Sequence, residues 1–138
     1  MTNPLHVFLV EDNPGDIELV YEALRENEVE YTMTIARDGA QAKRYIESIG
    51  TIDAHCPDVL ILDLNLPKAD GHELLALLRS HPLCTETPVI VVTSSDSRKD
   101  RDRAAALGAA RYFRKPTDLS EYMQLGALVR EVVEEYRH

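Results

Sequence analysis

A short apolar run that stops at an aspartate is the feature that most constrains how this chain can fold. Residues 59–62 read Val-Leu-Ile-Leu, and Asp63 follows them directly. An unbroken apolar run of this length is typical of a strand that is covered on both faces. Pro67 and Gly71 turn the chain soon afterwards, so Asp63 should stay at the end of that strand. In open α/β sheets, ligands bind at the carboxyl ends of the strands, which makes Asp63 the first candidate for chemistry.

Four other segments have the patterns of strands. Residues 5–10 and 89–92 are almost entirely apolar, which predicts central positions in a sheet. Residues 31–36 alternate apolar and polar side chains, and residues 111–114 are flanked by charges, so we expect both at the edges. Helical spacing of apolar residues between these segments indicates an α/β fold, with a parallel sheet and helices on both faces. The pattern fits a doubly wound, flavodoxin-like sheet of five strands in the order 2-1-3-4-5.

Two of the predicted helices bear on function. The fourth offers only Ala104, Ala105 and Leu107 as an apolar face, so it should be the least firmly held. The last helix is marked by apolar residues between positions 122 and 136 and is long. Most of its apolar stripe should be core, but its length suggests that Val132 or Tyr136 faces a partner.

Length and charge narrow the class of protein. At 138 residues the chain fits one domain, and we expect that domain to span residues 1–138 with no output domain. The formal net charge of −9 disfavours nonspecific binding to nucleic acid or to an anionic membrane. Neither a membrane-spanning apolar run nor a signal peptide is recognisable, so we expect a cytoplasmic protein.

The two cysteines, Cys56 and Cys84, each precede a predicted strand and lack the spacing of a CxxC motif. We expect two free thiols, because the cytoplasm is a reducing compartment. A disulfide between the two loops is the alternative that the sequence leaves open.

The ends of the predicted strands carry a distinctive set of polar residues, namely Glu11, Asp12, Asp63, Thr93 and Lys115. Right-handed crossovers place all strand ends at one edge of the sheet, and the first and third strands are neighbours. Three crowded carboxylates suit a hard divalent cation such as Mg²⁺, which prefers carboxylates, water and phosphate oxygens. A hydroxyl and an ammonium beside them suit a phosphate group. The set therefore describes an aspartate that can accept a phosphoryl group.

These residues and their order resemble the receiver domain of two-component response regulators. The resemblance covers essentially the whole chain, and its specificity comes from the complete set rather than from any single member. It rests on Glu11-Asp12, the segment Asp-Val-Leu-Ile-Leu-Asp-Leu-Asn-Leu-Pro at 58–67, Thr93 and Lys115-Pro116.

The resemblance implies an acceptor and a metal site. Asp63 would accept a phosphoryl group from a sensor histidine kinase. Glu11, Asp12 and Asp63 would bind Mg²⁺ together with the main-chain carbonyl of Asn65.

It also implies the residues that respond to the phosphoryl group. Thr93 and Lys115 would bind that group, and the Lys115–Pro116 peptide bond would be cis. Thr93 and Tyr112 would act as the switch, since Tyr112 matches the family's switch aromatic.

Longer motifs are similar to those of the single-domain regulators that pair with phytochrome-type histidine kinases. They are Glu-Asp-Asn-Pro-Gly-Asp at 11–16, Asp-Leu-Asn-Leu-Pro-Lys at 63–68, Thr-Pro-Val-Ile-Val-Val-Thr-Ser-Ser at 87–95 and Lys-Pro-Thr-Asp-Leu at 115–119. One departure is Ser94, because many receivers carry alanine at that position. A serine is still small enough to leave access to Asp63, but its effect on the rate of dephosphorylation is open.

Two other classes of protein share some of these features. A phosphatase of the haloacid-dehalogenase type also forms an aspartyl-phosphate, but its second aspartate is replaced here by Asn65, which cannot transfer protons. A flavodoxin-like nucleotide-binding protein would need a Gly-rich phosphate loop, and none is recognisable. Taken singly, Thr93 could be a strand-end residue, Lys115 a surface lysine and Tyr112 an edge aromatic that only packs. The complete set favours a signalling switch.

The output of such a switch would be a contact with another protein. We expect a homodimer through the fourth helix, the fifth strand and the fifth and last helix, with Val132 and Tyr136 as exposed apolar contacts. A separate downstream partner and a role as a phosphate buffer in a relay are the alternatives that the sequence leaves open.

Overall fold

A computed structural model describes residues 4–51 and 54–136 of the chain. Strands and helices alternate along these residues. The strands are β1 (Leu5–Val10), β2 (Tyr31–Ala36), β3 (Val59–Leu62), β4 (Val89–Thr93) and β5 (Arg111–Arg114). The helices are α1 (Pro14–Glu26), α2 (Gly39–Ser48), α3 (Gly71–Ser80), α4 (Arg98–Ala106), α5 (Leu119–Tyr122) and α6 (Gln124–Tyr136).

The five strands form one parallel sheet in the order β2-β1-β3-β4-β5, so the predicted topology is confirmed. Strands β3 and β4 are buried along their whole length, whereas β2 and β5 lie at the edges and are partly exposed. In the register of β1 against β3, Val10 lies opposite Leu62. The residues that follow them, Glu11 and Asp63, therefore leave the sheet side by side.

Each face of the sheet is covered by its own apolar cluster. Alternate residues of a strand point to opposite faces, so Phe8 and Leu60 belong to one cluster while Leu9 and Ile61 belong to the other. Helices α2 and α3 cover the first face, and α1 and α6 cover the second. Burial of this apolar surface is the main force that holds the layers together. None of the helices in the described ranges is long and apolar enough to cross a membrane.

Helix α1 begins with a side-chain cap. Asn13 is the N-cap, Pro14 occupies the first turn, and the Asn13 side chain accepts a hydrogen bond of 3.0 Å from the N–H of Asp16. This cap fixes Asp16 in the first turn of α1, at the carboxyl edge of the sheet.

Helix α4 is held by few apolar contacts. Ala104 is buried, and Leu107, the C-cap, packs at the margin of the same cluster. The prediction that Ala105 shares this face is wrong, because Ala105 is exposed. Successive residues of an α-helix are about 100° apart, so a helix that touches the protein along a narrow stripe buries Ala104 without its neighbour.

The C-terminal helix is interrupted, whereas the sequence predicts a continuous one. Helix α5 ends at Tyr122 and α6 begins at Gln124. The carbonyl of Met123 accepts the N–H of Gly126 at 3.2 Å, which is a tighter turn than that of an α-helix. It also accepts the side-chain amide of Asn27 at 2.9 Å, so α1 holds the junction in place.

The apolar stripe of α6 faces the core more fully than predicted. Val132 is completely buried, so the prediction that it is an exposed contact is wrong. It lies in the cluster between α1 and α6, which approach each other closely along their length. Tyr136 is 45% exposed and stays available at the surface.

A disulfide joins Cys56 and Cys84, so the expectation of two free thiols is wrong. Strands β3 and β4 are neighbours, and the segments that enter them lie side by side at the amino edge of the sheet. This brings the two Cα atoms to 5.7 Å, within the range that a disulfide spans. The bond closes a loop with a sequence separation of 28, and Asp63 lies within that loop.

Reduction of the disulfide should lower the free energy of unfolding by about 3 kcal/mol, because opening a loop of this size restores conformational freedom to the unfolded chain. Urea unfolding with and without a reductant measures the difference. The double variant Cys56→Ala/Cys84→Ala is the control and should be insensitive to reductant. Equal midpoints for the oxidised and reduced wild-type protein would contradict the assignment.

Candidate functional site

Backbone hydrogen bonds anchor the candidate residues at the carboxyl edge of the sheet. The N–H of Asp63 donates to the carbonyl of Val10 at 3.0 Å, so this acid continues the pairing of β1 with β3 by one residue. The N–H of Lys115 donates to the carbonyl of Thr93 at 2.8 Å and does the same for β4 and β5. The sequence prediction that these residues share one edge is therefore confirmed by the fold.

The ammonium of Lys115 lies at the centre of the site. Its Nζ is 2.8 Å from Glu11 Oε1, 2.8 Å from Asp16 Oδ2 and 3.1 Å from Asp63 Oδ2. An ammonium has three N–H donors, so all three are directed at carboxylates. Burial alone would lower the pKa of Lys115, but the hydrogen bonds to Asp16 and Glu11 and the charge of Asp63 raise it above its ordinary value. Lys115 is therefore a permanent cation in this site.

Glu11 is the most deeply buried acid of the group, with 2% of its surface exposed. Burial raises the pKa of its carboxyl group to about 7, opposed by the hydrogen bond from Lys115 and reinforced by the charge of Asp63. Its other oxygen, Oε2, accepts the N–H groups of Asp12 at 3.0 Å and Asn13 at 3.2 Å. The side chain is thus fixed in position on both sides.

Three carboxylates form a cluster that can hold a metal ion. Glu11, Asp12 and Asp63 each offer an oxygen, and these oxygens lie within 4.8 Å of one another. Asp63 is 4% exposed, so two of the three groups are buried. Oxygen donors of this kind fit Mg²⁺ or Mn²⁺ rather than a soft metal. Because Lys115 supplies one positive charge to several carboxylates, the cluster still favours a further cation.

Asn65 connects Asp63 to Thr93. Its backbone N–H donates to Asp63 Oδ1 at 2.9 Å, and its side-chain amide donates to Thr93 Oγ1 at 2.7 Å and to Ser94 Oγ at 3.1 Å. Thr93 is fully buried, as its place at the end of a central strand requires. The role of the Asn65 carbonyl as a metal ligand stays a prediction.

A second set of hydrogen bonds leads from Thr93 to the edge of the sheet. The N–H of Ser95 donates to Thr93 Oγ1 at 3.2 Å, and the Tyr112 hydroxyl donates to the Ser95 carbonyl at 2.9 Å. The Arg101 guanidinium lies over the Tyr112 ring, 4.4 Å from its centroid, as in a cation–π interaction. The two predicted switch residues are therefore linked through Ser95, and α4 contacts the same tyrosine.

The Lys115–Pro116 peptide bond is trans, so the prediction of a cis bond is wrong. The trans isomer is the favoured one for a bond before proline, by about 0.5–1 kcal/mol. With this isomer Lys115 already reaches three carboxylates, so the observed site does not need the cis bond.

Two participants were missed in the sequence analysis. Asp16 binds Lys115 as closely as Glu11 does, and the side chain of Asn65 binds Thr93. The signal for Asp16 was its place in the first turn of a helix that starts beside the site, where a side chain can reach back to the strand ends. The signal for Asn65 was an amide two residues after Asp63.

Known proteins are similar to this chain in sequence and in fold. The sequence profile of the response regulator receiver domain matches residues 7–125. Response regulator Rcp1 of Synechocystis sp. is 32% identical over 123 residues, which cover 88% of this chain and 84% of Rcp1.

Solved structures give the same result. The phosphorylated cyanobacterial phytochrome response regulator RcpA is 36% identical, with a TM-score of 0.82 over 97% of this chain and 94% of RcpA. The Mn²⁺-bound form of Rcp1 is 31% identical, with a TM-score of 0.81 over 93% of each chain. The receiver domain of a sensor histidine kinase from Pseudomonas aeruginosa, which has a magnesium ion in its active site cleft, is 26% identical. Its TM-score is 0.74 over 96% of this chain and 99% of that domain.

The raised pKa of Glu11 predicts how stability depends on pH in the presence of a chelator. Its folded-state pKa of about 7 exceeds its ordinary value of 4.5, so its contribution is complete below the ordinary value. That contribution is lost as the pH rises through the folded value, and the loss amounts to about 3 kcal/mol at most. Urea unfolding between about pH 5 and about pH 8 measures the trend. The variant Glu11→Gln should show a flatter dependence, and identical slopes for the two proteins would contradict the assignment.

Proposed function

The chain belongs to the response regulator receiver domain family, and from that premise we propose that it accepts a phosphoryl group on Asp63 from a sensor histidine kinase. Receiver domains of this type partner with histidine kinases and act as phosphoacceptor signalling switches. In this proposal the protein catalyses only its own phosphorylation and dephosphorylation. The output of the signal is a change in the surface that the protein presents to other proteins.

The observation that carries the proposal is the environment of Asp63. Its carboxylate is buried at the end of β3, with one oxygen 3.1 Å from the Lys115 ammonium and the other held by the N–H of Asn65 at 2.9 Å. A cation that already touches the acceptor is in position to stabilise the charge of an incoming phosphoryl group. Charge-assisted hydrogen bonds of this kind are among the strongest in proteins.

The proposed transfer is a displacement at phosphorus. A carboxylate oxygen of Asp63 attacks the phosphorus of a phosphohistidine on the kinase, and the new O–P bond forms as the P–N bond breaks. The electron pair of the broken bond stays on the imidazole nitrogen, which takes a proton from water. Lys115 donates a hydrogen bond to a phosphoryl oxygen during this step. Hydrolysis of the acyl phosphate later returns the Asp63 carboxylate and inorganic phosphate.

We also propose that Glu11, Asp12 and Asp63 hold Mg²⁺ together with the main-chain carbonyl of Asn65. The geometric support is the set of three carboxylate oxygens within 4.8 Å of one another. Further support comes from the relatives, since Rcp1 has a Mn²⁺-bound form and the Pseudomonas aeruginosa domain has magnesium in its cleft. When bound, the ion supplies positive charge that offsets repulsion between the carboxylates and the phosphoryl oxygens.

The response to phosphorylation is proposed to pass through Thr93. A phosphoryl group adds acceptor oxygens beside Asp63, and the Thr93 O–H can donate to one of them. A turn of the Thr93 side chain toward them breaks the hydrogen bonds that its oxygen accepts from Asn65 and Ser95. Because Ser95 also accepts the Tyr112 hydroxyl, the tyrosine loses a fixed partner and can turn inward. Helix α4 is free to follow, since Ala104 is its one buried residue.

A phosphatase of the haloacid-dehalogenase type is the less favoured function. Its acid/base position corresponds to Asn65, whose amide donates to Thr93 and Ser94 and carries no transferable proton at neutral pH. The site therefore supports accepting a phosphoryl group better than turning over phosphorylated substrates.

The partner kinase is proposed to be of the phytochrome type and to act in the cytoplasm, where the Cys56–Cys84 disulfide would be an exception to the usual reduced state of thiols. This rests on the motifs at 11–16, 63–68, 87–95 and 115–119 and on the similarity to RcpA, a phytochrome response regulator. The net charge of −9 gives no support for binding to nucleic acid or to a membrane surface.

Phosphorylation should occur on Asp63 and nowhere else. Incubation with a histidine kinase, or with a small donor such as acetyl phosphate, should add one phosphate that is lost at alkaline pH, as intact-protein mass spectrometry can detect. The variant Asp63→Asn should not be labelled, and chelation of Mg²⁺ should suppress labelling of the wild type. The control Asp102→Asn, at an exposed acid of α4, should be labelled normally. Phosphate found on a serine or threonine would overturn the proposal.

Phosphorylation should also strengthen the association of a homodimer through α4, β5 and α6. The gain in association free energy should be small, as coupling free energies between two sites usually are. This face carries Tyr136 and the ion pairs of Arg111 with Glu131 and Glu135. In a dimer, Arg111 of one copy can pair with these glutamates of the other copy. Sedimentation velocity with and without beryllofluoride, a phosphoryl mimic, measures the change. A monomer in both states would contradict the dimer and leave the face to a different partner.

A further inference from the structure

The hydroxyl of Tyr122 is buried and lacks a hydrogen-bond partner. Tyr122 is 2% exposed, and its oxygen is the one buried side-chain polar atom without a partner within residues 4–51 and 54–136. A buried hydroxyl that makes no hydrogen bond costs free energy, so such a group needs an explanation. A phenylalanine would fill the same space without this cost.

The ring of Tyr122 packs among residues that neighbour the functional site in sequence, since Ile17 follows Asp16 and Phe113 lies two residues before Lys115. It ends α5, packs in the cluster that contains Ile17 of α1, and meets the ring of Phe113 edge-on with centroids 6.0 Å apart. Besides burial, the charge of Asp16 raises the pKa of Tyr122 and the charge of Lys115 lowers it. Burial raises the pKa of Tyr122, so the phenol stays protonated and keeps an O–H to donate.

Of the three carboxylates that Lys115 contacts, Asp16 is the one left without a cation when Lys115 moves. In the resting site Lys115 Nζ is shared among Glu11, Asp16 and Asp63. Glu11 and Asp63 belong to the acidic cluster that suits a metal ion, whereas Asp16 does not. If a donor of Lys115 turns to a phosphoryl oxygen, Asp16 therefore has no cation of the site to replace it. Its side chain is only 23% exposed, so water can replace the lost bond only in part.

We propose that Tyr122 is a positioning residue whose hydroxyl donates to Asp16 once Lys115 turns toward the phosphoryl group. In the resting state the Tyr122 hydroxyl has no hydrogen-bond partner, and Asp16 accepts a hydrogen bond from Lys115. In the phosphorylated state Lys115 is released and the hydroxyl takes its place at Asp16. The Tyr122 hydroxyl thus raises the free energy of the resting state, where it is unpaired, and lowers that of the phosphorylated state, where it donates to Asp16. This inference rests on the proposed function, since it needs a phosphoryl group at Asp63.

The variant Tyr122→Phe removes the hydroxyl and keeps the ring, so it tests the two states separately. Without a phosphoryl mimic, Tyr122→Phe should unfold at a higher urea concentration than the wild type. With Mg²⁺, the same variant should bind beryllofluoride about tenfold more weakly, the effect expected for one hydrogen bond to a charged group. Binding is read from the shift of the thermal midpoint as beryllofluoride is added. The control Tyr21→Phe, at a half-buried tyrosine of α1, should match the wild type in both measurements.

A double-mutant cycle identifies the partner. In the background of Asp16→Ala, the change Tyr122→Phe should have no further effect on beryllofluoride binding, because the acceptor is already gone. If the losses of beryllofluoride affinity in the two single variants add up in the double variant, the pairing of Tyr122 with Asp16 is overturned. It is also overturned if Tyr122→Phe changes the stability of the free and the beryllofluoride-bound protein equally, because a purely structural role has that effect. A wild-type protein that takes neither phosphate nor beryllofluoride would instead overturn the proposed function. A protein that is labelled on Asp63 while Tyr122→Phe behaves as wild type would overturn this inference alone.

Discussion

The arrangement of the site depends on the attraction between one ammonium and three carboxylates. Two unit charges about 4 Å apart interact by about 4 kcal/mol at an effective dielectric constant of 20, so Glu11 and Asp63 repel each other strongly when both are ionised. Lys115 offsets this repulsion by contacting both, and it contacts Asp16 as well. Removal of one partner from such a buried group leaves an uncompensated charge, so the residues function as a set. The parallel sheet makes the set possible, because adjacent β1 and β3 bring the acids together while Lys115 reaches them across the end of β4.

Under the proposed function, the same attraction would give the site two states that differ by small rearrangements. In the resting state all three donors of Lys115 are used by carboxylates, and the Thr93 hydroxyl is used by Asn65 and Ser95. A phosphoryl group on Asp63 would compete with the carboxylates for the ammonium and would accept the O–H of Thr93, which draws the Thr93 side chain away from Asn65 and Ser95. Lys115 would leave Asp16, which lies on α1, and Thr93 would leave Ser95, which lies in the loop before α4. Both of these elements reach the surface. A local change of charge can thereby alter contacts on two sides of the sheet.

Sequence patterns predicted the sheet and the composition of the site, because both follow from local rules. Apolar runs located β3 and β4, and acids and a lysine directly after strands must meet where parallel strands end. The errors arose where the outcome depends on tertiary contacts. The pairing of Cys56 with Cys84 required the knowledge that their Cα atoms lie 5.7 Å apart, and the break at Met123 depends on the side chain of Asn27. Asp16 was missed because its reach toward Lys115 is set by the helix cap and not by its spacing from the strand ends.

Direct observation of the Lys115 ammonium by ¹⁵N nuclear magnetic resonance tests whether this one cation binds three carboxylates at once in the resting site. In chelator at neutral pH, we expect slow hydrogen exchange and couplings across hydrogen bonds to the carboxyl carbons of Glu11, Asp16 and Asp63. The other three lysines, Lys43, Lys68 and Lys99, are exposed and provide the internal reference for a free ammonium. A Lys115 signal that exchanges as fast as theirs and shows no such couplings would contradict the account.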